Sequence, residues 1–141
     1  MAEKILVVDD DSDVLEALNM ILERRDCQVI TARDGIEGLA YLKAEKPDLM
    51  ILDLLMPKMD GFALLKELRE PRWSEFSDMP ILILTSVREE ASRRRYELET
   101  GLELGADDYI EKPISPDILL KRVERLIKRK GVDLARQAGH T

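Results

Sequence analysis

Ile5-Leu6-Val7-Val8-Asp9-Asp10-Asp11 and Leu49-Met50-Ile51-Leu52-Asp53 share one pattern: four apolar residues in a row that end on acid. Such runs are too short for a core helix and lack the alternation of a half-exposed strand. They suit strands buried on both faces, as in a parallel sheet. Ile81-Leu82-Ile83-Leu84 is another such block and ends on Thr85 and Ser86. Gln28–Thr31 and Tyr109–Ile110 are weaker and read as edge strands.

Helical stripes separate these blocks. Val14, Leu15, Leu18, Ile21 and Leu22 make the first; Ile36, Leu39, Ala40 and Leu42 the second; Phe62, Leu64, Leu65 and Leu68 the third. Ile118, Leu119, Val123, Leu126 and Ile127 make the fifth, while the fourth, over 88–104, is the most polar. Asp11 or Ser12, Asp34, Asp60 and Ser115 are placed to cap helices, with Pro116 at a first helical position. Gly105 is expected to close the fourth helix in a left-handed conformation. Strand–helix alternation predicts a doubly wound α/β fold, a (βα)5 three-layer sandwich whose parallel sheet has the order 2-1-3-4-5. The domain is expected over residues 1–130, with 131–141 as a frayed C-terminal tail.

The chain has 141 residues, 45% hydrophobic and 36% charged, enough for one core under a charged surface. Its net charge of −7 opposes binding to nucleic acid or anionic lipid through bulk electrostatics. Cys27 is the only cysteine, which rules out an internal disulfide or a thiol zinc cluster and suits a reducing compartment. No apolar run approaches membrane-spanning length, and the N-terminus lacks a signal-peptide pattern. The expectation is a cytoplasmic protein.

In an open α/β sheet ligands bind beyond the carboxyl ends of the strands, where strand order reverses. For this order the crevice opens between the first and third strands, where Asp9, Asp10 and Asp53 converge. Two carboxylates about 5 Å apart repel by roughly 3 kcal/mol at an effective dielectric near 20. Such a cluster either holds protons or recruits a hard cation, and an oxygen-only set suits Mg²⁺. Thr85 and Ser86 follow the fourth strand and Lys112 the fifth, before Pro113, so a hydroxyl and a cation face the acids. Carboxylate, metal, lysine and hydroxyl together suit in-line transfer of a phosphoryl group onto a carboxylate.

The blocks ILVVDDD, LMILDLLMPKMDG, ILILTS and ADDYIEKPIS resemble, in order, the signatures of response-regulator receiver domains, over about residues 3–130. The resemblance implies a flavodoxin-like fold and a phosphorelay switch without enzymatic turnover, with Asp53 as phosphoacceptor. It implies Mg²⁺ (or Mn²⁺) held by Asp10, Asp53 and the backbone carbonyl of Leu55, with Asp9 acting partly through water. It implies that Lys112 pairs with the phosphate, that Thr85 turns toward it, and that Tyr109 swings inward as Thr85 moves. Pro57 and Gly61 match the loop after the acceptor strand. The implied donor is a sensor histidine kinase, a phosphotransfer protein or a small phosphorylated molecule. The downstream effector is unspecified. Glu103, Asp107, Asp108, Lys121, Arg122 and Arg125 fall where DNA-binding relatives form salt bridges across a homodimer, through the fourth helix, fifth strand and fifth helix.

Two departures stand out. Leu55 and Val87 are apolar where many relatives carry a polar side chain, so an attacking water should be hindered and the phosphoryl group long-lived. The stretch from Thr85 to Lys112 is longer than the common pattern and carries Arg93-Arg94-Arg95. Glu89, Glu90, Glu97, Glu99 and Glu103 offset those arginines, so it reads as a solvated charged helix rather than a nucleic-acid surface. Trp73 is expected on the sheet edge, and His140 has no partner for phosphotransfer or metal binding. A haloacid dehalogenase-type phosphatase would need a second acid where Leu55 stands, and an FMN carrier would need a Gly- and hydroxyl-rich loop where the acids stand. Residues 131–141 are too few for a helix-turn-helix unit, so direct DNA binding is not expected. A single-domain regulator is favoured over the front portion of a DNA-binding regulator.

Overall fold

A computed structural model describes residues 3–139, with side chains through Arg129. Strands β1 (Lys4–Val8), β2 (Gln28–Ala32), β3 (Leu49–Asp53), β4 (Ile81–Thr85) and β5 (Asp108–Glu111) alternate with helices. These are α1 (Ser12–Glu23), α2 (Gly35–Glu45), α3 (Gly61–Leu68), α4 (Val87–Thr100) and α5 (Pro116–Gly139), with a 3-10 turn at Pro71–Phe76. The strands form one parallel sheet of order β2-β1-β3-β4-β5. This is the doubly wound, flavodoxin-like sandwich that the alternation predicts.

Successive side chains of a strand point to opposite faces, so each apolar block feeds two cores. Leu6, Val8, Met50, Leu52 and Ile83 pack under Leu42 of α2 and Leu64 and Leu65 of α3. Ile5, Val7, Leu49, Ile51, Leu82 and Leu84 pack against Leu15, Leu18 and Leu22 of α1 and Leu119, Val123 and Leu126 of α5. Burial on both faces is why these strands read as unbroken apolar runs. Asp11, Asp34 and Asp60 cap α1, α2 and α3, each accepting a backbone N–H at 2.9 Å.

α4 departs from expectation. It ends at Thr100, and Gly101 rather than Gly105 is its left-handed stop (φ 69°), donating to the Glu97 carbonyl. Gly105 also has positive φ (83°), but it lies in an irregular strap between α4 and β5. The strap is held by Leu104, which is buried in the core, and by the Arg69 guanidinium at the end of α3. That group donates to the carbonyls of Glu103 and Leu104. Continuing the helix would forfeit the burial of Leu104.

Trp73 does not lie at a sheet edge. It is buried among the α2–α3 core residues, its Nε1 donates to Glu67, and the Lys43 ammonium sits 4.8 Å from its ring. α5 runs on to Gly139, beyond the boundary expected near residue 130. Ala135, Arg136, Gln137 and Ala138 favour helix and no proline intervenes, so propagation meets no stop. His140 lies outside the described residues. Among the described residues no helix is long and apolar enough to cross a membrane.

Candidate functional site

Parallel strands deliver their last residues to one edge, and here that edge is acidic. Asp9 directly follows β1, and its backbone N–H donates to the Ala32 carbonyl. Asp53 is the last residue of β3. Asp9 and Asp53 are buried while Asp10 is exposed, and each offers a carboxylate oxygen within 4.8 Å of the others. Asp9 Oδ1 accepts the Asp11 N–H at 2.9 Å, but Asp9 Oδ2 and Asp53 Oδ1 are buried without a hydrogen-bond partner. Buried, unsatisfied carboxylate oxygens carry a desolvation penalty that a bound cation removes. The donor set is all oxygen, so the residues present fit a hard dication.

Lys112, just past β5, reaches in from the far side. Its Nζ lies 3.5 Å from Asp9 Oδ2, 3.8 Å from Asp53 Oδ1 and 3.8 Å from Glu89 Oε1. The Lys112–Pro113 peptide is cis, and the Lys112 N–H donates to the Thr85 carbonyl at 2.7 Å, tying the loop to the end of β4. Burial pushes the Asp53 carboxyl up to about 7, helped by contact with the Glu89 carboxyl and opposed by the Lys112 ammonium. Burial likewise pushes Asp9 up to about 6; the Asp11 N–H opposes this and the Asp53 charge adds to it. Burial also pulls Lys112 down, but Asp53, Asp9 and Glu89 outweigh it and leave the ammonium above its ordinary range.

The β3–α3 loop shapes the mouth. Leu55, Met56, Pro57, Asp60, Asp10 and Arg88 line an open depression of about 320 Å³ beside the acids. Gly61 starts α3 so close behind β3 that a Cβ there would lie 2.6 Å from the Asp53 carbonyl oxygen. Its N–H donates to the Leu54 carbonyl at 2.9 Å. Only a residue without a side chain fits this turn.

Thr85 is buried at the end of β4. Ser86, expected to face the acids, is the N-cap of α4, and its hydroxyl accepts the Glu89 N–H at 3.3 Å. Tyr109 is half-buried, with the Arg93 guanidinium 4.8 Å from its ring. The residues expected to bridge two copies pair largely within the chain. Asp108 accepts from Arg122 and Arg125 at 2.8 Å each, and Asp107 binds Arg129 at 2.8 Å. Glu103 and Lys121 are exposed. Glu89 was not anticipated at the site. The signal that could have found it is the Ser86-x-x-Glu89 spacing, which puts a carboxylate in the first turn of the helix after β4.

Residues 5–124 match the model of the response regulator receiver domain. The chain is 43% identical over 132 residues to the alkaline phosphatase synthesis transcriptional regulatory protein PhoP of Bacillus subtilis, an alignment covering 94% of this chain and 51% of that protein. It is 40% identical over 129 residues to the response regulator MprA of Mycobacterium bovis, covering 92% of this chain and 52% of that one. The chain thus spans about half the length of these curated relatives. Among solved structures, a CheY-like receiver domain protein of Methanospirillum hungatei superposes with a TM-score of 0.76 at 27% identity, covering 94% of this chain and 99% of that one. The chemotaxis response regulator CheY4 of Vibrio cholerae gives 0.75 at 31% identity, covering 89% and 99%.

Proposed function

Because the chain belongs to the response regulator receiver domains, the phosphorylatable switches of two-component systems, we propose that Asp53 is its phosphoacceptor. Asp9, Asp10, Asp53 and the Leu55 backbone carbonyl would hold Mg²⁺, or Mn²⁺ in its place. The bound dication would neutralise charge on the phosphoryl oxygens. The observation that carries this reading is the convergence of Asp9, Asp10 and Asp53 on one edge, with the Lys112 ammonium reaching across to Asp53.

An Asp53 carboxylate oxygen attacks phosphorus and forms the new P–O bond. The bond to the donor's nitrogen or oxygen breaks, and its electron pair leaves with the donor. Lys112 pairs with the phosphoryl oxygens and Thr85 turns its hydroxyl toward them. The space that Thr85 leaves admits Tyr109, which must first part from Arg93. The α4–β5–α5 face then changes shape, as a shift between two packings. Ser86 acts from the cap of α4, and Pro57, Gly61 and Pro113 shape the loops around the pocket.

The donor is a sensor histidine kinase or phosphotransfer protein, and the site performs only its own phosphorylation and a slow dephosphorylation. The acidic chain does not itself bind nucleic acid, works in the cytoplasm and signals to an effector protein. A phosphorylation-strengthened homodimer through α4–β5–α5 is part of the same reading, and forming it would exchange the Asp107 and Asp108 pairs with α5 for partners across the interface. Light scattering with beryllofluoride and Mg²⁺ tests it: a dimer is expected, and a persistent monomer refutes it. For the acceptor, acetyl phosphate with Mg²⁺ should add one phosphoryl group to the wild-type chain and none to Asp53→Ala. A labelled Asp53→Ala chain overturns the assignment.

A further inference from the structure

Glu89 is the one buried residue of α4 among the described side chains, and it is a carboxylate. A Glu three residues after a Ser N-cap ordinarily reaches back to the cap's own N–H. Here the side chain turns the other way, into the pocket between Lys112 and Asp53. Its Oε1 lies 3.8 Å from the Lys112 ammonium, and its Oε2 is buried with no hydrogen-bond partner. Such an oxygen is costly to bury. Lys112 is the cation that compensates, and it is the same cation that a phosphoryl group on Asp53 needs.

Resting on the acceptor reading above, we propose that Glu89 is a built-in competitor for the phosphoryl group. It holds Lys112 in the resting state and is expelled, with the first turn of α4, when Asp53 is phosphorylated. A phosphoryl group brings close to two negative charges and three acceptor oxygens into the space that Glu89 borders. Glu89 and the phosphoryl group cannot both hold Lys112 without strong like-charge repulsion. Expulsion is cheap because α4 has few anchors in its first turn. Its other anchors lie beyond that turn, where Arg93 sits 4.8 Å from the Tyr109 ring, Tyr96 packs on Phe62 at 5.1 Å between centroids and Glu97 accepts the Leu104 N–H. Val87, in the first turn, is exposed. Glu89 is therefore a positioning residue that sets how readily the site accepts phosphate and moves the start of α4 when it does.

The test uses beryllofluoride as the phosphoryl stand-in at saturating Mg²⁺, followed by calorimetry. Glu89→Gln keeps the shape and removes the charge, so it should bind beryllofluoride roughly tenfold more tightly than wild type, the size expected for relieving one screened like-charge contact. A merely structural Glu89 would give equal or weaker binding, and that result overturns the proposal. Weakened Mg²⁺ binding cannot mimic the expected gain, because its sign is opposite. Hydrogen exchange on the wild-type chain is a second readout that needs no variant. Amides of residues 88–91 should lose protection when beryllofluoride binds, and unchanged protection there also overturns it. If the wild-type chain fails to bind beryllofluoride at all, both this proposal and the acceptor reading fall. Wild-type binding with no effect of Glu89→Gln sinks this proposal alone.

Discussion

Replacing Asp53 with Asn should stabilise the metal-free protein, and by an amount that grows with pH. Asp53 is buried at the end of β3, and its carboxyl is pushed up to about 7, mainly by that burial. In the unfolded chain an Asp titrates near ~3.9. Between those values the folded protein keeps a proton that the unfolded chain has lost. Raising the pH through this window therefore destabilises the fold, and the loss is complete above the folded value. The gap is about 3 units, equivalent to roughly 4 kcal/mol at pH 8 and about 1–2 kcal/mol at pH 5. Asn carries no charge, so the variant escapes this penalty.

The assay is urea unfolding in excess chelator at both pH values. With a urea slope of roughly 2 kcal/mol per molar, the midpoint gap between Asp53→Asn and wild type should widen by about 1 M from pH 5 to pH 8. Asp9, pushed up to about 6, contributes a pH dependence of the same sign in both proteins. It weakens in the variant because a repulsive neighbour is gone. Adding Mg²⁺ at pH 8 should stabilise wild type more than the variant, since a cation binding only the folded site offsets the buried charge. Parallel pH profiles for the two proteins, with no widening, would refute the claim that Asp53 is held in an environment hostile to its charge.

Gly61→Ala should destabilise the fold by roughly 1–3 kcal/mol, because the added methyl meets the Asp53 carbonyl. It should also slow phosphorylation by acetyl phosphate, and a wild-type urea midpoint would contradict the close approach. Leu104→Ala removes the buried anchor of the strap after α4 and should cost about 2–4 kcal/mol in chemical denaturation; a loss under about 0.5 kcal/mol would mean that the strap is not held by this side chain. Leu55→Asn puts a polar group at the mouth beside the acids. Phosphate loss from Asp53 should become several-fold faster, and an unchanged lifetime in a phosphate-release assay would remove the apolar shield as its cause.

The fold was legible because its core strands are buried on both faces. Ile5–Val8, Leu49–Leu52 and Ile81–Leu84 carry no alternation, and that absence is itself the mark of a parallel sheet with helices on either side. The acids were legible for a related reason. In such a sheet a residue that ends a strand has a known destination, so Asp9, Asp10, Asp53, Thr85 and Lys112 could be brought to one edge before any coordinates. What escaped was set by contacts that no period announces. Gly101 and Gly105 both adopt positive φ, and only the burial of Leu104 and the grip of Arg69 decide which of them ends α4. Trp73 sits in a connection whose composition reads as loop, yet the cation of Lys43 and the carboxylate of Glu67 hold it in the core.

Glu89 is the instructive omission. On α4 it looks like one more acid in a charged helix, and its spacing from Ser86 suggests a routine cap. The position of Lys112 gives it another partner. The cation of the acid pocket lies just past the end of β5, one strand over from the β4 terminus where α4 begins. A helix that starts beside such a cation offers its first-turn carboxylate a better interaction than the cap's N–H, even at the cost of burying an oxygen without a partner. That choice strains the resting site in a useful direction. On the proposed reading, the contact between Glu89 and Lys112 and the contact a phosphoryl group would need share one ammonium, so filling one would release the other.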